Sequence, residues 1–291
     1  MNIGRWQRVA RKAAIALWPM RVWRRYDQQA RRAGLDRLYL ILSFDCDTPQ
    51  DIEAVKTLHP WLQARGFKAT YAVPGAQLEQ GREVYRALAD QGADFINHGA
   101  LPHMEWRDDR YWSITFYNQM SAQAVIADVQ RGHELVQQVT GRQAVGFRAP
   151  HFGHFQQPEQ LGLLYRTLRD LDYRFATTTM PASALANGPI YPTAGLYEIP
   201  VSGTFRAPLT ILDSWGQIAD PRQPVVQDTY AQRFIATISA LQARRVAGVL
   251  NYYVDPAHVV NSAAFYRALE FARERGLESL HYGDLLERIR I

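Results

Sequence analysis

The stretch Leu38-Tyr39-Leu40-Ile41-Leu42-Ser43-Phe44-Asp45-Cys46-Asp47-Thr48 decides how the chain is read. Its first part is apolar and rich in strand formers, and it runs without a linker into two carboxylates one residue apart. Two acids at the end of a buried strand are costly unless something compensates them. A paired arginine or a bound dication would do so, and a dication also lets one carboxylate ligate while the other stays a base. The plainer reading is a strand-to-helix turn in which Asp45, Asp47 or Thr48 caps the next helix.

Outward from this segment the same alternation repeats. Strands are expected at 38–44, 68–73, 93–97, 144–148, 173–178, 196–200 and 246–253, with a further one near 279–282. Helices are expected at 51–65, 80–91, 121–140, 158–171, 229–244 and 262–275, several ended by Gly66, Gly92, Gly141 or Gly276 as left-handed caps. Repeated βα units of this kind predict an α/β fold, a distorted (β/α) barrel of seven or eight mostly parallel strands. In such a barrel catalytic side chains gather at the C-terminal strand ends. Asp45 and Asp47 follow the first predicted strand, His98 the third, Arg148 ends the fourth, and Asp255 and His258 follow the seventh.

With 291 residues, 47% hydrophobic and 21% charged, the chain can bury one large core. The expected division is a basic, tryptophan-containing segment over residues 1–37 and a catalytic domain over 38–291. The first segment carries ten arginines and lysines against Asp27 and Asp36, so the net charge of +5 resides there and the rest is mildly acidic. Its apolar run, residues 13–20, is too short for a membrane span, which takes roughly 20 residues. That run meets Arg21, Arg24 and Arg25 instead of a cleavage site, which argues against a signal peptide. Arginines beside Trp6, Trp18 and Trp23 suit an anionic membrane surface; the alternative is a solvated helix packed on the domain. No nucleic-acid motif accompanies the charge, so no nucleic acid is expected. The lone Cys46 excludes an internal disulfide. The expected location is cytoplasmic, with peripheral contact at the inner membrane face.

Two further segments carry chemistry. Asn97-His98-Gly99-Ala100-Leu101-Pro102-His103 brings two imidazoles together after a strand, and with an aspartate they would form a facial metal site. A five-residue offset does not share a helix face, so joint ligation needs a loop, which Gly99 and Pro102 permit. Gly146-Phe147-Arg148-Ala149-Pro150-His151-Phe152 ends a strand in a guanidinium that can hold a carboxylate in place. His59, His133, His154 and His281 are read as structural.

Together these motifs resemble the polysaccharide deacetylase family, also called the NodB homology or family 4 carbohydrate esterase domain. Its motifs T-F-D-D-G, H-[ST]-x-x-H, R-x-P-[YF] and an Asp- and Trp-bearing fourth are similar, in order, to 43–48, 98–103, 148–151 and Asp213-Ser214-Trp215. The resemblance implies that Asp45 is the general base and that Asp47, His98 and His103 bind a divalent metal, with zinc expected. It implies that Arg148 orients Asp45 and Asp213 steadies Arg148. His151 would donate its backbone N–H to an oxyanion, and Trp215 would wall the sugar groove. The implied substrate is an N-acetylated glycan or sugar-lipid, attacked at the acetamide carbonyl by water deprotonated toward Asp45.

The chain departs from the pattern in three places. The histidine spacing is one residue longer, His151 replaces an aromatic residue, and the last motif reads Tyr252-Tyr253-Val254-Asp255-Pro256-Ala257-His258. His258 or Asp255 could then protonate the leaving amine; imidazole titrates nearer neutrality, which favours His258. Two other functions fit the same residues: hydrolysis of a cyclic amide or ureide, and non-catalytic glycan binding.

Overall fold

A computed structural model describes residues 19–290. Trp6, Trp18 and most of the apolar run at 13–20 lie outside the described residues. Strand β1 (Leu38–Asp45) is buried along its whole length. Its two faces serve different cores: Leu38, Leu40, Leu42 and Phe44 pack against helices, while Tyr39 and Ile41 join an inner cluster. By the period of two, Ser43 and Asp45 continue the inner row, so the barrel interior turns from apolar to polar toward the C-terminal rim. Strand β10 (Gly248–Val254) pairs parallel to β1, with Tyr39 opposite Val249, Ile41 opposite Asn251 and Ser43 opposite Tyr253.

From β1 the sheet runs through β2 (Ala69–Val73), β3 (Asp94–Asn97), β6 (Gly146–Phe147), β7 (Phe175–Ala176) and β9 (Leu196–Glu198) to the antiparallel β8 (Tyr191–Thr193). It curls toward closure because the segment after β9 meets β10 from the other side. The Asn251 amide donates to the carbonyls of Ile199 and Pro200, and Ser202 N–H donates to Asn251 O. The short β11 (Glu278–Ser279) pairs with β1.

Helices α2 (Pro49–Ala64), α5 (Ala122–Thr140), α6 (Pro158–Asp170), α8 (Asp228–Ala243) and α10 (Ala263–Glu274) stand where periodicity predicted them, within a few residues. Gly66, Gly92, Gly141 and Gly276 all have positive φ. The helix expected at 80–91 is instead two, α3 (Gly75–Gln80) and α4 (Arg82–Asp90), joined at Gly81, where a Cβ would stand 2.9 Å from Ile52 and Tyr85 side chains. The strand expected at 279–282 stops early. Asp284 accepts from His281 N–H and starts α11 (Tyr282–Arg288).

Several elements were not foreseen, the antiparallel β8 among them. α7 (Pro181–Asn187) and α9 (Pro256–Val259) are short. A hairpin, β4 (Met104–Arg107) and β5 (Arg110–Ser113), follows His103 directly. Its turn residues Asp108 and Asp109 both have positive φ, which an Asp-Asp pair signals less clearly than Asn-Gly does. The basic segment supplies the alternative given above, a helix packed on the domain: α1 (Pro19–Arg32) buries Trp23 and Tyr26 against the barrel. Tyr26 OH donates to Val249 O and accepts from Val249 N–H, and its ring occupies the space a Cβ on Gly248 would need, at 2.3 Å. Among the described residues no helix is long and apolar enough to cross a membrane.

Candidate active site

The polar rim assembles most of the predicted residues from the ends of β1, β3, β6 and β10 and from the loop that carries Trp215. Asp45, at the tip of β1, is paired with Arg148, which follows β6. Arg148 is fully buried and donates its other terminal nitrogen to Ser43 Oγ and Tyr282 OH, each at 2.8 Å. The rings of Tyr253 and Phe152 lie 5.2 and 5.5 Å from its guanidinium carbon. Four contacts therefore fix the guanidinium, and Asp45 Oδ1 is fixed with it, which leaves Oδ2 facing the histidines. Burial pushes Asp45 up to about 6, with Arg148 pulling down and Asp47 pushing up.

Asp47, His98 and His103 offer ligand atoms that all lie within 4.8 Å of one another, and all three are buried. His98 Nδ1 lies 2.8 Å from Arg148 O. A carbonyl only accepts, so Nδ1 carries the proton and the Nε2 lone pair faces Asp47 at 3.6 Å and Asp45 at 3.8 Å. Burial lowers His98 well below its ordinary value, which keeps that lone pair free. His103 Nδ1 lies 3.0 Å from Asp47 Oδ1, and its Nε2 is buried without a partner. Burial would raise Asp47, but the His103 charge and hydrogen bond, with His98 behind them, bring it down to about 2. One nitrogen from each imidazole and one carboxylate oxygen, with His103 Nε2 left unpaired, suit a divalent cation such as zinc.

The loop carrying both histidines is held from beneath. Asp128, on the buried face of α5, accepts Ala100 N–H at 3.0 Å and Leu101 N–H at 2.8 Å through one oxygen, and Tyr117 OH at 2.5 Å through the other. Gly99 has φ +79°, and a Cβ there would meet Asp128 Oδ2 at 2.3 Å. The extra residue between the histidines is thus accommodated by a left-handed glycine over a buried carboxylate.

On the opposite side of the rim, Ser214 Oγ and Trp215 Nε1 both donate to Asp255, at 3.1 and 2.9 Å. His258 Nδ1 is 3.1 Å from Ser214 Oγ, and its ring stands edge-on to Trp215 at 4.6 Å. Burial lowers His258 to about 4, and burial with Asp51, Asp47 and Asp45 nearby raises Asp255 well above the carboxylate range. His151 is held at φ +52°, uncommon for a residue with a side chain, with its ring 5.7 Å from that of His103.

One expected contact is absent among the described residues. Asp213 does not reach Arg148: it accepts from Gly216 N–H and Tyr253 OH, so the Tyr253 ring stands between the two. Several residues at the site had not been singled out. Tyr282, 134 positions from Arg148, had no local signal. Asp51 had one: Thr48-x-x-Asp51 is a capping box, and Asp51 also accepts Ala257 N–H at 2.8 Å, tying α2 to α9. Asp128 interrupts the apolar stripe of α5 between Val125 and Val129, a pattern legible in the sequence.

A curled, mostly parallel sheet whose C-terminal rim joins an Asp–Arg pair to an Asp–His–His cluster is an α/β barrel with a polar rim. Residues 34–161 match the model of the polysaccharide deacetylase family. A crystal structure from Mycobacterium smegmatis assigned to the polysaccharide deacetylases aligns over 88% of this chain and 91% of its own, at 17% identity and TM-score 0.67. A family 4 carbohydrate esterase from Streptomyces lividans, solved with acetate, aligns over 88% and 98%, at 14% identity and TM-score 0.54. A family 4 pseudoenzyme from Bacillus anthracis aligns over 87% and 66%, at 13% identity and TM-score 0.54. These likenesses concern the fold. Comparison with curated proteins gives no match.

Proposed function

We propose that the protein is a metal-dependent carbohydrate N-deacetylase, which removes acetyl groups from N-acetylated sugars. The observation that carries this is the adjacency of two differently used carboxylates: Asp45, clamped by Arg148, and Asp47, beside two imidazoles. Asp47, His98 and His103 would hold the ion, most simply zinc. When bound, such an ion polarises the acetamide carbonyl and acidifies nearby water.

Asp45 Oδ2 takes the proton of the water whose oxygen attacks the carbonyl carbon. Arg148 keeps that carboxylate oriented and, by its charge, ionised. His151 N–H donates to the oxygen on which negative charge develops. As the C–N bond breaks, the nitrogen takes a proton from His258 or Asp255, of which burial makes Asp255 the better proton carrier near neutrality; acetate and a free amine leave. Trp215, braced by Asp255, walls the sugar. Asp213 supports Tyr253, and through it the underside of Arg148.

A cytoplasmic setting, with contact at an anionic membrane face, fits the basic N-terminal region. Trp23 cannot contribute to that contact, being 2% exposed within the barrel core. What α1 offers outward is Arg21, Arg24, Arg25, Arg31 and Arg32.

The test is metal content and acetate release from N-acetylated glycans and sugar-lipids. Asp47→Ala should lose metal and activity together; Asp45→Asn should keep metal and lose activity. A metal-free wild type that releases no acetate from any of these yet binds glycans would overturn the reading in favour of non-catalytic binding.

A further inference from the structure

Asp51 is 0% exposed, and the proposed mechanism gives it no task. It is the third residue of α2, just after Asp47 in the chain, and both of its oxygens are in use. Oδ2 accepts Thr48 N–H at 2.9 Å and the Thr48 hydroxyl at 2.7 Å, which closes the first turn of its own helix. Oδ1 accepts Ala257 N–H at 2.8 Å, from a residue 206 positions away. A capping box needs only the bonds within α2; the bond to Ala257 serves something else.

Ala257 lies in α9, between Asp255 and His258. Asp255 is the N-cap of that turn, and an N-cap aspartate ordinarily accepts the free N–H of the second or third residue after it. Here the Asp255 carboxylate makes no such bond. Pro256 has no N–H, Ala257 N–H goes to Asp51, and His258 N–H goes to the Asp255 main-chain carbonyl. The Asp255 carboxylate accepts from Ser214 Oγ at 3.1 Å and Trp215 Nε1 at 2.9 Å instead. The carboxylate that caps α9 thus comes from another helix, and the one that local sequence assigns to the cap is held at the rim. Asp51 also stands close enough to Asp255 to be, after burial, the largest influence favouring its protonated form.

We propose that Asp51 is a positioning residue: by capping α9 in place of Asp255, it frees the Asp255 carboxyl to protonate the leaving nitrogen. The same tie joins the two sides of the rim, because Thr48 adjoins Asp47 and Ala257 adjoins His258. Without Asp51, Ala257 N–H loses its acceptor, and the Asp255 carboxylate is the group that the chain places to take it over. This role rests on the deacetylase reading and concerns one step of it. An amine leaves only when protonated, whereas a nitrophenolate leaves without a proton.

Hydrolysis of the N-acetylglucosamine tetramer and of 4-nitrophenyl acetate would be compared, with zinc content, in wild type, Asp51→Ala, Asp51→Asn, Thr48→Val and Asp255→Asn. Asp51→Ala should lower kcat for the tetramer about 10–100-fold, with zinc content and ester hydrolysis within about threefold of wild type, as a milder form of Asp255→Asn. Asp51→Asn keeps an acceptor for Ala257 N–H and should recover most of the loss. Thr48→Val removes only a bond within α2 and should leave the amide-to-ester ratio at its wild-type value. Parallel loss of both activities in Asp51→Ala, or in Asp51→Asn if the alanine variant does not fold, would overturn the proposal in favour of a structural role; so would loss of neither. The Trp215 indole N–H resonance, assigned with Trp215→Phe, reads the bond to Asp255 without reference to activity, and it should shift in Asp51→Ala but not in Thr48→Val. A wild type that hydrolyses neither substrate, with that shift present, would sink the deacetylase reading and keep the cap. An unmoved resonance would overturn the cap itself.

Discussion

Replacing Asp128 with alanine should loosen the ligand loop without touching a ligand. Its carboxylate accepts three hydrogen bonds, two from the part-buried amides of Ala100 and Leu101 and one from the buried Tyr117 hydroxyl. Bonds to a charged acceptor contribute roughly 1.5–3 kcal/mol each. Water can re-enter beside the two amides but not as readily beside Tyr117, which is 1% exposed. The net cost should be about 3–5 kcal/mol, roughly 5–8 °C in Tm for a chain of this size. Because the freed loop carries His98 and His103, zinc affinity should fall roughly 10–100-fold, as for other residues that support ligands from behind. Asp128→Asn keeps an acceptor for the amides and should cost only about 1–2 kcal/mol. Thermal melts of the metal-free proteins and zinc titration against a competing chelator read the two effects separately. A Tm that falls while zinc affinity stays at the wild-type value would refute the argument that this carboxylate positions the ligands.

A pH effect on stability is expected from a carboxyl outside the proposed catalytic set. Glu198 is fully buried, and burial raises it from 4.5 to about 7 despite bonds from Thr178, Thr179 and Tyr165. The unfolded chain releases this proton first, so stability is highest below pH 4.5 and declines as pH rises to about 7, by on the order of 3 kcal/mol. Glu198→Gln keeps the shape and removes the charge; its stability relative to wild type in urea should grow from pH 4.5 to 7.5, and parallel profiles would contradict the assignment. Deleting residues 1–18 removes Arg5, Arg8, Arg11 and Lys12 but leaves Trp23 in the core. It should weaken pelleting with phosphatidylglycerol vesicles tenfold or more, and unchanged pelleting would remove the basis for membrane contact through this segment.

What was legible in the sequence was what local pattern encodes. The β1 run, its two terminal acids, the helix periods and the glycine caps each depend on neighbours within a few residues, and each appears in the fold close to its expected place. The Arg148 environment was not legible, because Ser43, Tyr282 and Tyr253 come from widely separated positions and meet only when the sheet curls. Asp213 illustrates the same limit: its motif position suggested a partner, but the Tyr253 hydroxyl lies nearer and takes the bond. The break at Gly81 was hidden for another reason. The helical period continues through it, and only the proximity of Ile52 and Tyr85 makes a side chain there untenable.

Fold similarity does not separate catalysis from its absence here, since an esterase and a pseudoenzyme align with this chain at the same TM-score of 0.54. The decision falls to side chains whose arrangement serves no evident structural need. A buried Asp–Arg pair alone could be a structural device, and it would be weak evidence for stability. Asp47 beside two buried imidazoles is harder to explain that way. His98 is held by the Arg148 carbonyl in the tautomer that presents Nε2 inward, and His103 leaves a buried nitrogen unpaired. An unpaired buried nitrogen is destabilising unless something occupies the space before it. Maintaining that arrangement on a loop that also needs a left-handed glycine and a buried carboxylate beneath it is costly for a protein that only binds. It is the cost expected of one that must keep a cation open to substrate.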